Sequence, residues 1–175
     1  MRDLTTARLL LRPIGPDDAS ALHVLWTNKE VRRYLWDNRI LPLDAVHTII
    51  SDSAAYFDRT GSGFFSVRLK EQPDGIVGFC GHRAFEAGEE AELLYGMHPD
   101  HWRQGLGTEA ARRVLDYGFN ECGLAHVIAT TDTPNQRSVK VLQRLGMSFD
   151  RRQLRHGLDT VFYRMTRREF LALAS

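Results

Sequence analysis

The densest group of chemistry-bearing residues lies midway along the chain. There Tyr95-Gly96-Met97-His98-Pro99-Asp100 runs into His101-Trp102-Arg103-Gln104-Gly105-Leu106-Gly107-Thr108-Glu109-Ala110. An extended run gives way to a loop, and the loop enters a helical pattern through two glycines. Backbone N–H groups at a helix start have no intrahelical acceptor, and the helix dipole favours an anion beside them. Gly105 and Gly107 let the backbone approach that anion, and Arg103 adds positive charge. The combination suits a phosphate or pyrophosphate; a loop using glycines merely to turn is the alternative.

Three phosphate-binding patterns compete. A P-loop requires Lys followed by Ser or Thr after its second glycine, and no such pair stands here. Gly105-Leu106-Gly107-Thr108-Glu109-Ala110 matches the dinucleotide fingerprint G-x-G-x-x-A, with Asp132 at the end of the next strand as a ribose-binding acid. The match is poorly placed, because a loop separates Pro99 from the first glycine where the fingerprint wants a tight turn. Too little chain follows Asp132 for a second nucleotide-binding half. A nicotinamide-linked oxidoreductase therefore stands as an alternative. The third pattern is weighed below, once its supporting elements are in place.

The elements that must position this segment follow from periodicity and turn residues. Ala7–Arg12 reads as a strand ended by Pro13, and Gly15-Pro16-Asp17-Asp18 starts a helix carrying Ala19, Leu22, Leu25 and Trp26 as a stripe. A second helix is expected over Leu43–Arg59, with Val46, Ile49, Ile50 and Phe57 on one side and Gly61-Ser62-Gly63 as its stop. Strands are expected over Phe64–Leu69, Ile76–Phe85 and Glu90–Met97, joined by turns at Gln72–Gly75 and Ala87-Gly88 and therefore antiparallel. Gly105–Phe119 is helical, His126–Thr131 a strand, and Arg137–Leu145 a helix that Gly146 ends. Two last strands flank His156-Gly157, and Thr166–Leu173 adds a terminal helix. The order β-α-α-β-β-β-α-β-α-β-β predicts a mixed α/β (α+β) domain, antiparallel in its first half, with a central β-α-β crossover. Nothing resembling a linker or repeat interrupts residues 1–175, so one domain is expected.

Trp102-Arg103-Gln104-Gly105-Leu106-Gly107 resembles the pyrophosphate loop Q/R-x-x-G-x-G/A of the GNAT superfamily of N-acetyltransferases. A leading Trp and a following Thr108-Glu109-Ala110 are similar to its ribosomal-protein N-terminal acetyltransferase (RimJ/RimL-like) branch. The opening Thr6-Ala7-Arg8-Leu9-Leu10-Leu11-Arg12-Pro13, the segment Val31–Leu35, and Thr133-Pro134-Asn135-Gln136-Arg137-Ser138 through Leu145-Gly146-Met147 resemble other parts of that branch. The matches lie in register over nearly the whole chain.

The resemblance implies a fold in which the strands Glu90–Met97 and His126–Thr131 splay apart around the pantetheine arm of acetyl-CoA. It implies that this arm pairs with the backbone near Met97, that the pyrophosphate rests on the amides of Arg103, Gln104, Gly105, Leu106, Gly107 and Thr108, and that Asn135 hydrogen-bonds the pantetheine. Asn135 also stands where a helix cap is expected. The implied reaction moves an acetyl group from acetyl-CoA to a primary amine, on a protein N-terminus or a small molecule, by direct attack in a ternary complex.

Such a reaction needs a neutral amine nitrogen and a tolerated thiolate. Glu92 is the candidate base: the family often uses a glutamate in this strand, and strand alternation sets it opposite Leu93, Tyr95 and Met97. Otherwise Glu90 and Glu92 form the wet face of the strand. Many family members carry a proton-donating tyrosine seven residues after the asparagine; here that position is Leu142. Asn135, Ser138 and Leu142 share one helix face, so Ser138 could hydrogen-bond the thiolate, or serve only to pack the helix. A backbone N–H near Met97 or His98 would meet the carbonyl oxygen.

Composition narrows the partners. A formal net charge of +1 gives no global case for nucleic acid or a membrane surface. Cys80 and Cys122 lie in no metal or redox spacing, and neither has an activating neighbour for a covalent route. His98 and His101 lack a third ligand, so no metal is expected. Without a signal-like N-terminus or a membrane-length apolar run, a cytoplasmic protein, monomer or homodimer, is expected. Trp26, Tyr34, Trp36, Asp37 and Asn38 cluster between the first helices, either capping the core or lining an acceptor mouth where Asp37 would receive an ammonium group. A non-catalytic acyl-CoA-binding module is the remaining alternative.

Overall fold

In Ala7-Arg8-Leu9-Leu10-Leu11-Arg12, alternation buries Leu9 and Leu11 and turns Arg12 outward, which suits this segment to a sheet with one face on the core. A computed structural model of the chain, describing residues 2–86, 88 and 90–173, places it in strand β2 (Leu9–Pro13), beside a short β1 (Leu4–Thr5). Helices α1 (Ala19–Thr27), α2 (Lys29–Arg32) and α3 (Leu43–Thr60) follow. Then come β3 (Phe64–Leu69), β4 (Gly78–Ala84) and β5 (Ala91–Met97). The second half contains α4 (Leu106–Asn120), β6 (His126–Asp132), α5 (Gln136–Arg144), β7 (Ser148–Arg155), β8 (Leu158–Thr166) and α6 (Arg167–Ala172).

Among the described residues the strands form one eight-stranded sheet in the order β1-β2-β3-β4-β5-β6-β8-β7. Every pairing is antiparallel except β5 with β6, which the α4 crossover makes parallel. The expected mixed α/β fold is thus present. Two short elements lie outside the expected order. β1 is two residues long and exists through its pairing with β2, and α2 is a single turn capped by the Asn28 side chain, which accepts from the Glu30 and Val31 amides. Of the turn expected at Ala87-Gly88, Ala87 lies outside the described residues; the Gly88 amide donates to Phe85 O at 3.0 Å.

The apolar stripes fall where their spacing puts them. Leu106, Ala110, Val114, Leu115 and Phe119 of α4 are all buried and join Leu9, Leu11, Val67 and Leu93 of the sheet in one core cluster. Leu22, Trp26, Val46 and Ile50 of α1 and α3 form a second cluster with Phe64 and Phe79. Trp26 meets both Trp36 and Phe79 edge-on, with ring centroids 5.4 Å apart in each pair. Each large side chain so buried contributes about 1.5–3 kcal/mol. Together the two clusters fix β5 and α4 rigidly on either side of the glycine loop.

Candidate active site

β5 and β6 are paired only at their beginnings, Ala91 with Val127 and Glu92 with Ile128. Beyond that the two strands part, leaving Leu93–Met97 unpaired on one edge. The His98 amide donates to Val77 O at 2.8 Å, on the β4 side. Because peptide groups alternate sides along a strand, the N–H groups of Tyr95 and Met97 then face the gap. This corrects the expectation that His98 could offer its N–H to a substrate oxygen; that donor is already committed. The Met97 carbonyl is partly occupied as well, accepting from Trp102 Nε1 at 2.7 Å.

Two cavities open on the gap. The larger, of about 580 Å³, is lined by Met97, Arg103, Gly105, Leu106, Gly107 and Thr108 together with Asn135 and α5. Gly105 is the N-cap of α4 with φ +77°, a left-handed conformation natural to glycine, and no side chain caps the helix start. The amides of Leu106, Gly107 and Thr108 are therefore left for a ligand. A Cβ on Gly107 would touch only Met97 Cγ, at 3.5 Å, so the protein's own packing leaves this surface bare.

Charge around that surface is arranged for an anion. Glu109, in the first turn of α4, is drawn away by Arg8, whose Nε lies 2.7 Å from its carboxylate, and by Thr6. Burial works to raise the Glu109 pKa, but the bonds from Thr6 and Arg8 and the charge of Arg8 hold it below the ordinary carboxylate value. Arg33, Arg103, Arg137, Lys140 and Arg144 line the cavity. Arg137 stacks over the Trp102 ring at 4.1 Å. Gln104 is set apart from its neighbours. Its side chain donates to Asp100 O at 3.2 Å, its carbonyl accepts from Arg8, and it does not line the cavity.

The second cavity, of about 440 Å³, lies across the gap and is lined from several distant segments, including Tyr34–Asp37, Arg83, Glu92, Asp132 and the β7–β8 turn. Glu92 is 1% exposed, so it does not form a wet strand face. Thr130 Oγ1 donates to its Oε1 at 2.6 Å and Arg83 Nε to its Oε2 at 2.8 Å. Glu90 remains exposed and meets His126 at 3.2 Å. The Arg83 guanidinium also sits 5.4 Å from the Trp36 ring centroid. Asp132 lacks a comparable ion pair among the described residues; burial, with Asp37 nearby, pushes its pKa up against the opposing charge of Arg155.

The aromatic cluster divides. Trp26 is core, whereas Tyr34, Trp36 and Asp37 line the second cavity, and Asn38 turns away to accept from Arg32. Trp36, Asp37 and Asn38 all adopt positive φ, between 53° and 59°, a strained left-handed turn held against the core by Trp36. At the cavity mouth His156 approaches Asp37 at 3.8 Å and Arg155 pairs with Glu86 at 3.1 Å.

Asn135 and Ser138 line both cavities. Asn135 does cap α5, its Oδ1 accepting from the Ser138 amide at 3.3 Å, while its Nδ2 donates to Thr131 Oγ1 at 3.0 Å. Leu142 is buried on the same face. Two functional candidates escaped the sequence reasoning: Arg83, and Tyr95, whose hydroxyl lies 2.7 Å from Ser138 Oγ. A turn centred at residues 87–88 already makes Arg83 and Glu92 cross-strand partners, as observed. No local signal joins Tyr95 to Ser138.

An uncapped helix start, a strand edge free to pair with an amide-bearing arm, and a row of cations fit an acyl-CoA. The fold and site define an acyl-CoA-dependent acyltransferase. Residues 8–148 match the Acetyltransferase (GNAT) domain, and the chain belongs to the GNAT acetyltransferase family, with acetyl-CoA as cosubstrate. It is 30% identical over 145 residues to the uncharacterized N-acetyltransferase YoaA of Bacillus subtilis, covering 82% of this chain and 81% of that protein. Its fold is similar to that of spermidine N-acetyltransferase from Vibrio cholerae, solved with CoA and spermine (TM-score 0.80, 17% identity, covering 95% and 99% of the two chains). It is equally similar in fold to the ribosomal L7/L12 alpha-N-protein acetyltransferase RimL, solved with coenzyme A (TM-score 0.80, 15% identity, covering 94% and 98%). The dinucleotide alternative is thereby set aside. Among the described residues no helix is long and apolar enough to cross a membrane.

Proposed function

We propose that residues 1–175 act as one catalytic domain of the RimJ/RimL-like branch, moving the acetyl group of acetyl-CoA to a primary amine by direct attack in a ternary complex. The observation that carries this is the meeting of two cavities between splayed strands, one rich in free amides and cations, the other lined by carboxylates. Acetyl-CoA supplies the activated thioester. The amides of Arg103 to Thr108 and the cations of α5 hold its phosphates, Gln104 contributing through its backbone alone. The Met97 N–H and Asn135 bind the pantetheine.

The amine enters from the opposite cavity, where Asp37 and Asp132 favour an ammonium-bearing acceptor, on a protein N-terminus or on a small polyamine. Glu92 is the general base. Both of its oxygens accept hydrogen bonds, yet each retains a second lone pair, so it takes the amine proton through a bridging water. The Tyr95 N–H, the other donor facing the gap, meets the carbonyl oxygen, and the Ser138 hydroxyl steadies the departing thiolate. Steady-state acetylation assays over a panel of polyamines, small amines and N-terminal peptides test this. Intersecting initial-velocity lines for at least one acceptor are expected; acetyl-CoA binding with no turnover on any acceptor would leave only a binding module.

A further inference from the structure

Leu142 occupies the place where a hydroxyl would serve the leaving group, and of the hydroxyl-bearing residues that line both cavities, Tyr34, Tyr95 and Ser138, the last two are hydrogen-bonded to each other. Tyr95 reaches from β5 across the gap to the first turn of α5. Its oxygen lies 2.7 Å from Ser138 Oγ and its O–H 3.3 Å from the Ser138 carbonyl. Both residues line both cavities. A phenol has one proton to give. Given to the nearer acceptor, Ser138 Oγ, it fixes the serine rotor and leaves the serine O–H free to turn into the gap. We propose, resting on the donor and acceptor sides assigned above, that Tyr95 is a positioning residue that aims the Ser138 hydroxyl at the departing sulfur of coenzyme A.

The chemistry balances without a tyrosinate or a serine alkoxide. The N–C bond forms, the C–S bond breaks, and the electron pair goes to sulfur. Ser138 donates a hydrogen bond to that charge but keeps its proton. The proton taken from the amine through Glu92 returns to sulfur or to solvent. Burial raises the Tyr95 pKa, so the phenol stays a donor across the working pH range.

Because a hydrogen bond to a charged group is worth about ten- to a hundred-fold, the thiol of bound CoA should ionise that much more readily than free CoA. The test is an ultraviolet thiolate titration of CoA bound to the wild type, Tyr95→Phe, Ser138→Ala and the double variant, with affinity measured by calorimetry. The other charged and titratable groups, Arg83 with Glu92, Asp132, and the Asp37–His156 and Glu86–Arg155 pairs on the acceptor side, the loop and α5 cations on the donor side, and Cys80 beside Tyr95, are common to all four proteins. Tyr95→Phe and Ser138→Ala are each expected to lose most of the shift, and the double variant no more than Ser138→Ala alone, while CoA affinity stays within a few-fold. A wild-type complex ionising like free CoA, or a Tyr95→Phe complex ionising like wild type, overturns the inference. So does wholesale loss of CoA affinity in Tyr95→Phe, which would make the phenol a structural support. Absence of CoA binding by the wild type would instead remove the proposed donor site itself.

Discussion

The cavity on the loop side of the splayed strands is built around the uncapped start of α4, from residues 101–103 and 105–108, with the free edge of β5, one face of α5 and residues from 30–35 beside it. The cavity across the gap is lined by residues brought from 34–37, β4, β5, β6, α5 and the β7–β8 hairpin. A backbone-built site depends on glycine conformation and a helix start, so it tolerates change in most of its side chains. A side-chain-built site depends on each contact, and its chemistry changes when any one of them does. The proposed division of labour follows that difference, with the acyl donor on the first side and the amine on the second.

The sharpest way to break the comparison is Glu92→Gln. The amide still accepts from Thr130 but no longer offers a carboxylate, and it leaves the Arg83 charge unpaired. A fall in kcat of about 10²- to 10³-fold is expected, with acetyl-CoA affinity unchanged; stopped-time acetylation and calorimetry on the same protein check both. An unchanged kcat would remove the base and reduce Glu92 to a structural partner of Arg83.

A smaller effect is expected from Asp132→Asn: about ten-fold in KM for a cationic acceptor, from loss of one partly buried charge partner. Its pH dependence carries a sign. Burial raises the Asp132 pKa, so the carboxylate protonates at a higher pH than an ordinary aspartate. Acceptor affinity in the wild type should then fall as pH drops through that raised value. Asp132→Asn should flatten the fall in a plot of acceptor KM against pH. A rise in KM for acetyl-CoA instead would show that the two sides are not separate.

The smallest effect sharpens the other side. Arg137→Ala removes the cation stacked on Trp102 and one proposed phosphate partner, and a rise of a few-fold in KM for acetyl-CoA, shrinking with added salt, is expected. Acceptor KM should not move. Salt-independent loss would point to packing of Trp102, not to charge.

The same contrast governs what the sequence disclosed. The loop 102–108 was legible because glycine spacing, a strand before it and a helical stripe after it are all local signals. Most strands and helices were legible for the same reason, through alternation, periodicity and turn residues. β1 and α2 were not, being too short to carry a period and stabilised by pairing and by a single Asn28 cap. The burial of Glu92 was not legible either. Its alternation alone allowed a wet face, and only the cross-strand Arg83 and the more distant Thr130 make a buried carboxylate affordable. The left-handed run Trp36–Asn38 has no glycine to announce it. Tyr95 and Ser138, 43 residues apart, meet through the crossover topology.

The central claim, that a backbone-built loop holds the acyl donor, is tested most directly by titrating acetyl-CoA into the wild type and Gly105→Val under calorimetry. Valine strains the left-handed position, with its Cβ 3.6 Å from the Arg8 guanidinium, and so disturbs the backbone turn that presents the helix-start amides; affinity is expected to fall about ten- to a hundred-fold, while Glu92→Gln binds like wild type. Saturable wild-type binding that Gly105→Val leaves untouched would contradict the account and move the donor away from this loop.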